Sequence, residues 1–528
     1  MKVFGILEAL DLWVIGVYFV ILIGIGLWVS YQENKKKSEN LFLAGRSLGW
    51  VSIGMNMWGT NVGPSMLITL ASSGFMTGIV TGNYSWYAFV FIFLLAFVFG
   101  PRYLGANVQT LPEYMGKRFG DSTRNILAWY TIVTILISWL ALTLFAGGIL
   151  IGQILHIPMW QSVIGLVLIS GLFAVAGGLK AIASTNVFQM TLLILVSATL
   201  VIVGLIKVGG FSGLYAQTPP EMWNLFQPNN SPDYPWLAIL LGYPIMGVWF
   251  WCTDQSMVQS VLGAKDLKTG QRGANFCGWL KVLDVPLFIL PGIICWVLYR
   301  NEVTNPNEAY ITMVTKLFPP GMIGAIIITM LAAMVSTIGS ALNSLSTVFT
   351  MDIYVKKFKP EASRNDIVQI GRIVTVVGAF IAIGLTMGID SIKGIKLFDV
   401  FQSILGFIAP PMTVVFLFSV LWKKTTTKAV NLVLSVGSLF SLGIGVLYLW
   451  VLPPAQGYHW PHFMMLSFLI FCVESVFCFV VTLLDKKGQD HSQNTLKPIK
   501  FKTDGFTRWM WIIFVLVMVG LYIFFNGH

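Results

Sequence analysis

The feature that most constrains this chain is a series of apolar runs, each of about 18 to 25 residues, that recur from residue 10 to residue 525. A run of about 20 apolar residues, rising 1.5 Å per residue, crosses the roughly 30 Å hydrocarbon core of a bilayer. Only 10% of the 528 residues are charged and the mean hydropathy is +0.78, whereas a soluble domain carries about 25% charged residues. We therefore predict an all-α integral membrane protein with about fourteen spans, at roughly 10–30, 50–76, 82–100, 126–153, 158–177, 186–206, 236–260, 275–298, 321–350, 370–389, 398–421, 428–451, 462–484 and 508–525.

The distribution of Lys and Arg predicts how these spans are oriented. If the first span leads inward, 26 of the 33 basic residues fall on the cytoplasmic side and 6 on the outer side, which leaves Lys281 inside a span. This asymmetry follows the positive-inside rule, so we predict a multi-pass plasma-membrane protein with both termini outside. Because the basic residues follow the membrane topology, the net charge of +11 does not require a nucleic-acid partner.

Two charges stand inside the eighth run, in the stretch GWLKVLDVPLFILPG that begins at Gly278. A charge at the bilayer centre costs roughly 3 kcal/mol or more, and such residues normally face a bundle interior or a wet cavity. The alternative for Lys281 is a structural ion pair with Asp284 or Asp254, and Asp284 at i+3 is within helical reach. Such a pair does not exclude a role in binding.

Two of the runs contain helix-breaking residues. The second holds Gly59-Thr60-Asn61-Val62-Gly63-Pro64-Ser65, and the seventh opens with Gly242-Tyr243-Pro244-Ile245-Met246-Gly247. Broken backbone at membrane depth is tolerated only where it lines a cavity or is buried in protein. The two breaks stand five spans apart, and an odd number of spans inverts the second group relative to the first, as in inverted-repeat transporters. The alternative is two incidental kinks in ordinary packed helices.

This pattern predicts a peripheral span, a transport core and a peripheral C-terminal part. The predicted bounds are 1–45 for the first span, 46–422 for the core, with repeats at 46–206 and 236–422, and 423–528 for the peripheral C-terminal spans.

Five stretches carry a family resemblance: FLAGRSLGW (42–50), GGLKAIASTNVFQ (177–189), WFWCTDQSMVQ (249–259), LNSLSTVFTMDIY (342–354) and LFDVFQSILGFIAPP (397–411). They resemble the sodium/solute symporter family, and specifically its sodium/glucose cotransporter branch, over about residues 10 to 484. The resemblance implies a five-plus-five inverted repeat of the leucine-transporter type with extra peripheral helices. It also implies alternating access driven by a sodium gradient.

The resemblance further implies a sugar site at Asn61, Trp251, Lys281 and Gln402. The residue types suit a sugar, because its hydroxyls need paired donors and acceptors while its apolar face stacks on an aromatic ring. The alternative for Asn61 and Gln402 is interhelical hydrogen bonding, worth about 0.6 kcal/mol on average.

A sodium site is implied by the same resemblance, from the carbonyl oxygens of Gly59, Val62 and Ala333 and the hydroxyls of Ser336 and Thr337. An unwound helix frees carbonyl oxygens for an ion, although Ser336 and Thr337 could instead serve only close packing. A second sodium site in the family uses an Asp where this chain has Asn186. We therefore expect one sodium ion per cycle, unless Asn186 merely preserves a hydrogen bond.

Three positions depart from the family's sugar site. Ser85 replaces a Glu, Met66 a His or Gln, and Phe250 a Tyr. Loss of the Glu removes a strong acceptor for hydroxyls and the expected charge balance for Lys281, which puts glucose and galactose in doubt. A site with a cation and no acid suits a uronate, whereas Met66 and Phe250 offer apolar surface to a deoxy sugar, a polyol or a larger glycan unit.

We predict a sodium-coupled secondary active symporter that imports a sugar or sugar-like solute, with an anionic solute such as a uronate or another carboxylate as the alternative. Sodium is the expected cofactor, the solute and the lipid bilayer are the expected partners, and a monomer is expected. An intramembrane enzyme is disfavoured because the chain has no HExxH motif and no His at membrane depth. A solute sensor is disfavoured because the chain ends at His528, just past the last run, which leaves no room for an output domain.

Overall fold

The structure, a computed structural model, describes residues 2–4, 7–36, 41–231, 234–390, 397–454, 457–491 and 502–526. A short antiparallel hairpin joins β1 (Lys2–Phe4) to β2 (Leu7–Glu8) and pairs Lys2 with Glu8. The α-helices, numbered along the chain, are α1 (Ala9–Lys36), α2 (Trp50–Asn61), α3 (Pro64–Thr77), α4 (Gly82–Trp86), α5 (Ala88–Leu94), α6 (Gly100–Gly105), α7 (Leu111–Phe119), α8 (Asp121–Thr134), α9 (Leu142–Leu155), α10 (Met159–Val208), α11 (Gly210–Ala216), α12 (Trp236–Val248), α13 (Gln255–Leu262), α14 (Leu267–Val282), α15 (Leu290–Tyr299), α16 (Ala309–Leu317), α17 (Met322–Val348), α18 (Arg364–Asp390), α19 (Leu397–Leu421), α20 (Thr427–Leu432), α21 (Ser438–Val446), α22 (Phe463–Leu484), α23 (Lys486–His491) and α24 (Gly505–Phe524).

Wider and tighter helical turns connect several of these elements. The π-helical segments are Leu95–Phe99, Ile135–Ala141, Trp249–Thr253, Val285–Ile289, Phe349–Phe358, Val433–Gly437 and Leu447–Val451. The 3₁₀ segments are Leu41–Arg46, Gly78–Thr81, Pro220–Trp223 and Pro306–Glu308. Single π turns of this kind are frequent at functional sites.

Twelve helical stretches in the described part of the chain are long and apolar enough to cross a membrane. The predicted number of about fourteen differs at two places. The predicted run 82–100 and the end of 50–76 fall within one stretch, Met66–Gly105, and the run 158–177 corresponds to the shorter apolar helix Met159–Gly171. The remaining stretches follow the predicted runs, so the chain is an all-α multi-pass membrane protein.

The first predicted break lies between α2 and α3. Val62 (φ −80°, ψ 78°) and Gly63 (φ −85°, ψ 166°) leave the helical conformation there. Pro64 has no N–H to donate to the Thr60 carbonyl, and the Gly63 N–H donates to the Asn61 carbonyl at 2.9 Å. The carbonyl groups of Gly59 and Thr60 therefore lack their regular intrahelical donors.

The second break lies later than the sequence predicts. Helix α12 continues through Pro244 to Val248, passes into the π-helical segment Trp249–Thr253 and stops at Asp254, which is extended (φ −84°, ψ 129°). The Asp254 carboxylate accepts from the N–H groups of Ser256 at 2.9 Å and Met257 at 3.2 Å, which caps α13. The prediction of a break at Gly242–Gly247 is wrong, because Pro244 removes one donor without ending the helix, whereas Asp254 starts a new one.

Helix α17 occupies the centre of the molecule and packs against α10, α2 and α9. Almost every residue from Ile326 to Val348 is buried. Helix α14 packs along α2, so the eighth predicted span lies directly against the first broken helix.

A carboxylate of the first helix fixes the start of α17. Asp11 is fully buried, and its Oδ1 accepts from the N–H groups of Gly321 at 2.6 Å and Gly324 at 2.7 Å. A Cβ on Gly324 would lie 2.7 Å from the Asp11 Cα, so the two helices touch through their backbones.

We expect Asp11→Ala to destabilise the protein by about 1 to 2 kcal/mol, because it removes this cap and leaves the N–H groups of Gly321 and Gly324 without this acceptor. Asp11→Asn keeps an acceptor oxygen and should lose less. Thermal unfolding in a mild detergent measures both, and equal melting temperatures for wild type and Asp11→Ala would contradict the assigned cap.

Candidate functional site

A cavity opens where the two broken helices meet α14 and α19. Its empty space is about 1020 Å³, including the part open to solvent. Six aromatic rings contribute most of its apolar wall: Tyr84, Trp139, Tyr243, Trp249, Phe250 and Trp251. The rings of Trp139 and Phe250 lie 5.2 Å apart. Cavities that are mostly apolar and have a few convergent polar groups are typical of small-molecule sites.

Lys281 presents its ammonium group at this cavity from α14. The Nζ donates to Asn61 Oδ1 at 2.7 Å, lies 5.9 Å from the centre of a Trp251 ring, and forms an ion pair with Asp284. Only 2% of the Lys281 surface is exposed. The ammonium therefore connects α14 with both broken helices, through Asn61 of the first and Trp251 of the second.

Asp284 is the hub of the hydrogen bonds behind Lys281. Its Oδ1 accepts from Trp58 Nε1 at 2.8 Å, and its Oδ2 accepts from the Ser85 hydroxyl at 2.8 Å and from Lys281. The expectation that Ser85 leaves Lys281 without a balancing acid is therefore wrong. The carboxylate comes instead from Asp284, just past the end of α14 and one helical turn beyond the lysine, and Ser85 is its hydrogen-bond donor.

Six of the seven predicted substrate residues line the cavity: Asn61, Met66, Phe250, Trp251, Lys281 and Gln402. Ser85 does not. It is fully buried on α4, and its hydroxyl donates to Asp284, the ion-pair partner of Lys281. Met66 and Phe250 add apolar surface, as their residue types predict.

The predicted sodium residues come together beside the first break. The Thr337 hydroxyl on α17 lies within hydrogen-bonding distance of three carbonyl oxygens: Thr60 at 3.1 Å, Ala333 at 3.1 Å and Gly59 at 3.5 Å. Because Thr337 also lines the cavity, the oxygen cluster and the cavity are contiguous. Val62 lies within the break itself.

Ser336 supplies the oxygen in this cluster that has no protein partner. Its hydroxyl is buried without a hydrogen bond to any described residue. A Cβ on Gly59 would lie 3.3 Å from Ser336 Oγ, so this oxygen lies beside the Gly59 backbone of α2. A buried oxygen without a donor, set among main-chain carbonyls, suits a hard monovalent cation such as sodium.

Asn186 lies in a separate polar cluster. Its Nδ2 donates to Asn56 Oδ1 at 2.5 Å, and Asn56 Nδ2 in turn donates to Ser260 Oγ at 2.6 Å. The amide thus has a structural hydrogen bond, in line with the alternative weighed for it, while its own oxygen has no partner among the described residues.

Several residues of the cavity wall and one buried acid were not predicted from the sequence. Tyr84, Trp139 and Tyr243 are on the cavity wall but lie in apolar runs where nothing distinguishes them from packing residues. Glu474 is different, because it is the only charge in α22. The signal that singled out Lys281 would have found it.

Comparison with known proteins identifies the same family that the sequence motifs resemble. The model of the sodium:solute symporter family matches residues 41–430. The chain belongs to the sodium:solute symporter family. Sodium/glucose cotransporter 1 of Ovis aries is 31% identical over 474 residues, which cover 82% of this chain and 71% of that protein. Sodium/myo-inositol cotransporter 2 of Sus scrofa is 31% identical over 470 residues, with 83% and 70% covered.

A solved structure shares the fold of this symporter family member. A Na⁺-coupled sialic acid symporter, in a substrate-bound outward-open state, superimposes with a TM-score of 0.76 at 17% identity, covering 90% of this chain and 98% of that one. The predicted fold class, an inverted-repeat membrane transporter of the leucine-transporter type, is confirmed. So is the prediction that the protein is not an enzyme, since its relatives are cotransporters.

Proposed function

We propose that this symporter uses sodium entry across the plasma membrane to import a neutral, polyhydroxylated solute of the sugar or cyclitol class. The observation that carries the proposal is the group around Lys281, whose donor points at the cavity while its charge is matched by Asp284. Asn61 and Gln402 add amide groups of both polarities. Trp251 and Phe250 offer flat apolar surfaces to the C–H face of a ring.

In the proposed cycle, sodium binds between the first break and α17, at the oxygens of Gly59, Val62, Ala333, Ser336 and Thr337. The ion stabilises the outward-open form, and the solute then binds at Asn61, Trp251, Lys281 and Gln402 and permits closure. Coupling requires that each ligand bind one conformation more tightly than the other. The shared boundary at Thr337 supports such coupling, because both ligands would contact the same helix.

The ion pair of Lys281 with Asp284 carries no net charge, which argues against an anionic solute. A lysine without a counter-ion would favour a uronate, but here Asp284 is fully buried beside it. A second negative charge at the cavity would meet both the ammonium and this carboxylate. We therefore place neutral sugars and cyclitols ahead of carboxylates.

Uptake competition in proteoliposomes tests the solute class. With an inward sodium gradient, radiolabelled glucose, galactose and myo-inositol are measured singly and against unlabelled glucuronate. We expect uptake of at least one neutral compound that depends on sodium and that glucuronate does not inhibit. Sodium-dependent glucuronate uptake without any neutral substrate would contradict the proposal.

Asp284→Asn should reverse this preference. The substitution leaves the Lys281 charge unmatched, so neutral uptake should fall at least tenfold while glucuronate becomes an inhibitor. The double variant Ser85→Glu with Asp284→Ser returns a carboxylate to the same place from α4, and should restore neutral uptake. Unchanged selectivity in Asp284→Asn would mean that the carboxylate has no part in discrimination.

The remaining features of the proposal are those expected from the sequence. We propose a transport core at 46–422 with repeats at 46–206 and 236–422, peripheral parts at 1–45 and 423–528, both termini outside, a monomer and one sodium ion per cycle. The support for a single ion is the residue type at position 186, because an amide, unlike an Asp, brings no negative charge to a second cation.

A further inference from the structure

A second acid lies inside the membrane, outside the transport site. Glu474 is the twelfth residue of α22 (Phe463–Leu484), which places it about 15 Å from either end of the helix at 1.5 Å per residue. It is 2% exposed. An ionisable residue at this depth is costly and usually functional.

Neither carboxyl oxygen of Glu474 has a hydrogen-bond partner among the described residues. This distinguishes it from Asp11, Asp254 and Asp284, whose buried carboxylates each accept from N–H or O–H donors. An ionised carboxylate without donors or a counter-ion is strongly disfavoured in an apolar interior, and such a group neutralises instead. Glu474 is therefore a carboxyl group in surroundings that favour its uncharged acid.

The groups that face Glu474 are mostly backbone and neutral side chains. A Cβ on Gly437 would lie 3.2 Å from Glu474 Oε1, so the carboxyl packs on the end of the π-helical segment Val433–Gly437. Helix α8, which carries Tyr130, packs against the same π-helical segment.

No basic group of the described residues forms an ion pair with Glu474. The elements packed against α22 are α12, α19, α20, α23 and Val433–Gly437. Among the side chains of these elements that the structure describes, Tyr243 of α12 donates to the Tyr84 carbonyl at 2.5 Å, Lys428 of α20 is exposed, and Lys486 and Lys487 of α23 follow the end of α22. On α22 itself, Cys478 lies one turn away and is buried.

The elements around Glu474 contact the part of α19 where proline interrupts the backbone hydrogen bonds. Pro411 has no N–H for the Phe407 carbonyl, and Ser441 of α21 donates to that carbonyl at 2.6 Å instead. Tyr130 donates to the neighbouring Ile408 carbonyl at 2.7 Å. Tyr130 and Ser441 thus both hold the proline-containing part of α19, the helix that carries Gln402 at the cavity.

We propose that Glu474 is a proton-binding site, and that the bound proton keeps α21 and α22 packed on the proline-containing part of α19. Loss of the proton would place a bare charge against Gly437, where α22 packs on Val433–Gly437 and on α19, and would loosen that packing. The site thereby makes the arrangement of α19 depend on pH. Neither step requires the solute to be identified.

Infrared difference spectroscopy of the full chain in lipid nanodiscs tests the protonation directly. We compare wild type with Glu474→Gln, and use the exposed Glu302→Gln as the matched control. At neutral pH the wild type should show the carbonyl stretch of one protonated carboxyl group that Glu474→Gln lacks and Glu302→Gln retains. Raising the pH should remove that band from the wild type. Identical spectra of wild type and Glu474→Gln at neutral pH would overturn the proposal.

Sodium is the competing ligand for a lone carboxylate, and the same measurement separates the two. At fixed pH, sodium chloride is exchanged for potassium chloride. If a proton is the ligand, the protonated band should be the same in both salts. If the band disappears when sodium is present, the carboxylate binds a metal ion and the proposal is wrong. The wild-type titration gives the answer even if Glu474→Gln folds poorly.

A consequence for packing provides the second readout. The wild type should become less stable to thermal unfolding as the pH rises toward the value at which the protonated band disappears. Glu474→Gln cannot ionise and should show no such loss. Parallel pH profiles for the two proteins would show that the proton has no effect on the packing of α19, and would overturn that half of the proposal.

Discussion

Replacing Lys281 with alanine should reduce sodium-driven solute uptake to background while leaving sodium binding intact. The ammonium group is the donor that α14 presents to the cavity, and it holds Asn61 and faces Trp251. Its removal deletes one charge-assisted contact to the solute and frees the Asn61 side chain. Uptake in proteoliposomes and binding of radiolabelled sodium are measured on the same preparation.

The control for this variant must separate binding from folding. Lys281→Ala leaves Asp284 buried without its partner, which costs about 3 to 5 kcal/mol of stability. The double variant Lys281→Ala with Asp284→Asn removes both charges, and should recover the melting temperature but not the uptake. Recovery of uptake in the double variant would mean that Lys281 serves only as the partner of Asp284.

Replacing Ser336 and Thr337 together with alanine should raise the sodium concentration for half-maximal uptake by about tenfold or more, equivalent to about 1.4 kcal/mol or more of binding free energy. Ser336 brings an unpartnered oxygen, and Thr337 contacts the carbonyls of Thr60 and Ala333. The maximal rate at saturating sodium should change less than the sodium requirement. Initial uptake rates over a sodium series measure both quantities.

Ser346→Ala is the matched control on the same helix. Ser346 is also buried on α17, but its hydroxyl donates to the Gly371 carbonyl at 2.9 Å, away from the break. Its sodium dependence should match the wild type. If the Ser336 and Thr337 variant matches it too, sodium binds elsewhere.

The membrane architecture was predictable because its signals are physical and local. A run of apolar residues long enough to cross a bilayer identifies a span without knowledge of its neighbours, and Pro64 beside Gly63 ends α2 wherever the helix lies. The second break shows the limit. Pro244 is the stronger local signal, but Asp254, an ordinary capping residue, ends the π-helical segment and starts α13.

The site shows a similar limit in its electrostatics. The charge on Lys281 could be located from the sequence, and its pairing with Asp284 at i+3 was one of two alternatives. That Asp284 also takes hydrogen bonds from Trp58 and Ser85 depends on α2 and α4 meeting the turn that follows α14, which no spacing along the chain reveals. Without those contacts Ser85 reads as the loss of an acid, whereas the folded protein supplies the acid from another helix.

The indole rings in the cavity wall allow solute binding at the proposed site to be tested by intrinsic fluorescence. Trp139, Trp249 and Trp251 line the space where a solute would sit, and Trp58 donates to Asp284 just behind it. Indole emission responds to the polarity and hydrogen bonding of its surroundings. A change in intrinsic fluorescence on adding candidate compounds would therefore report occupancy without labels, and removing the indole of Trp251 should diminish that signal.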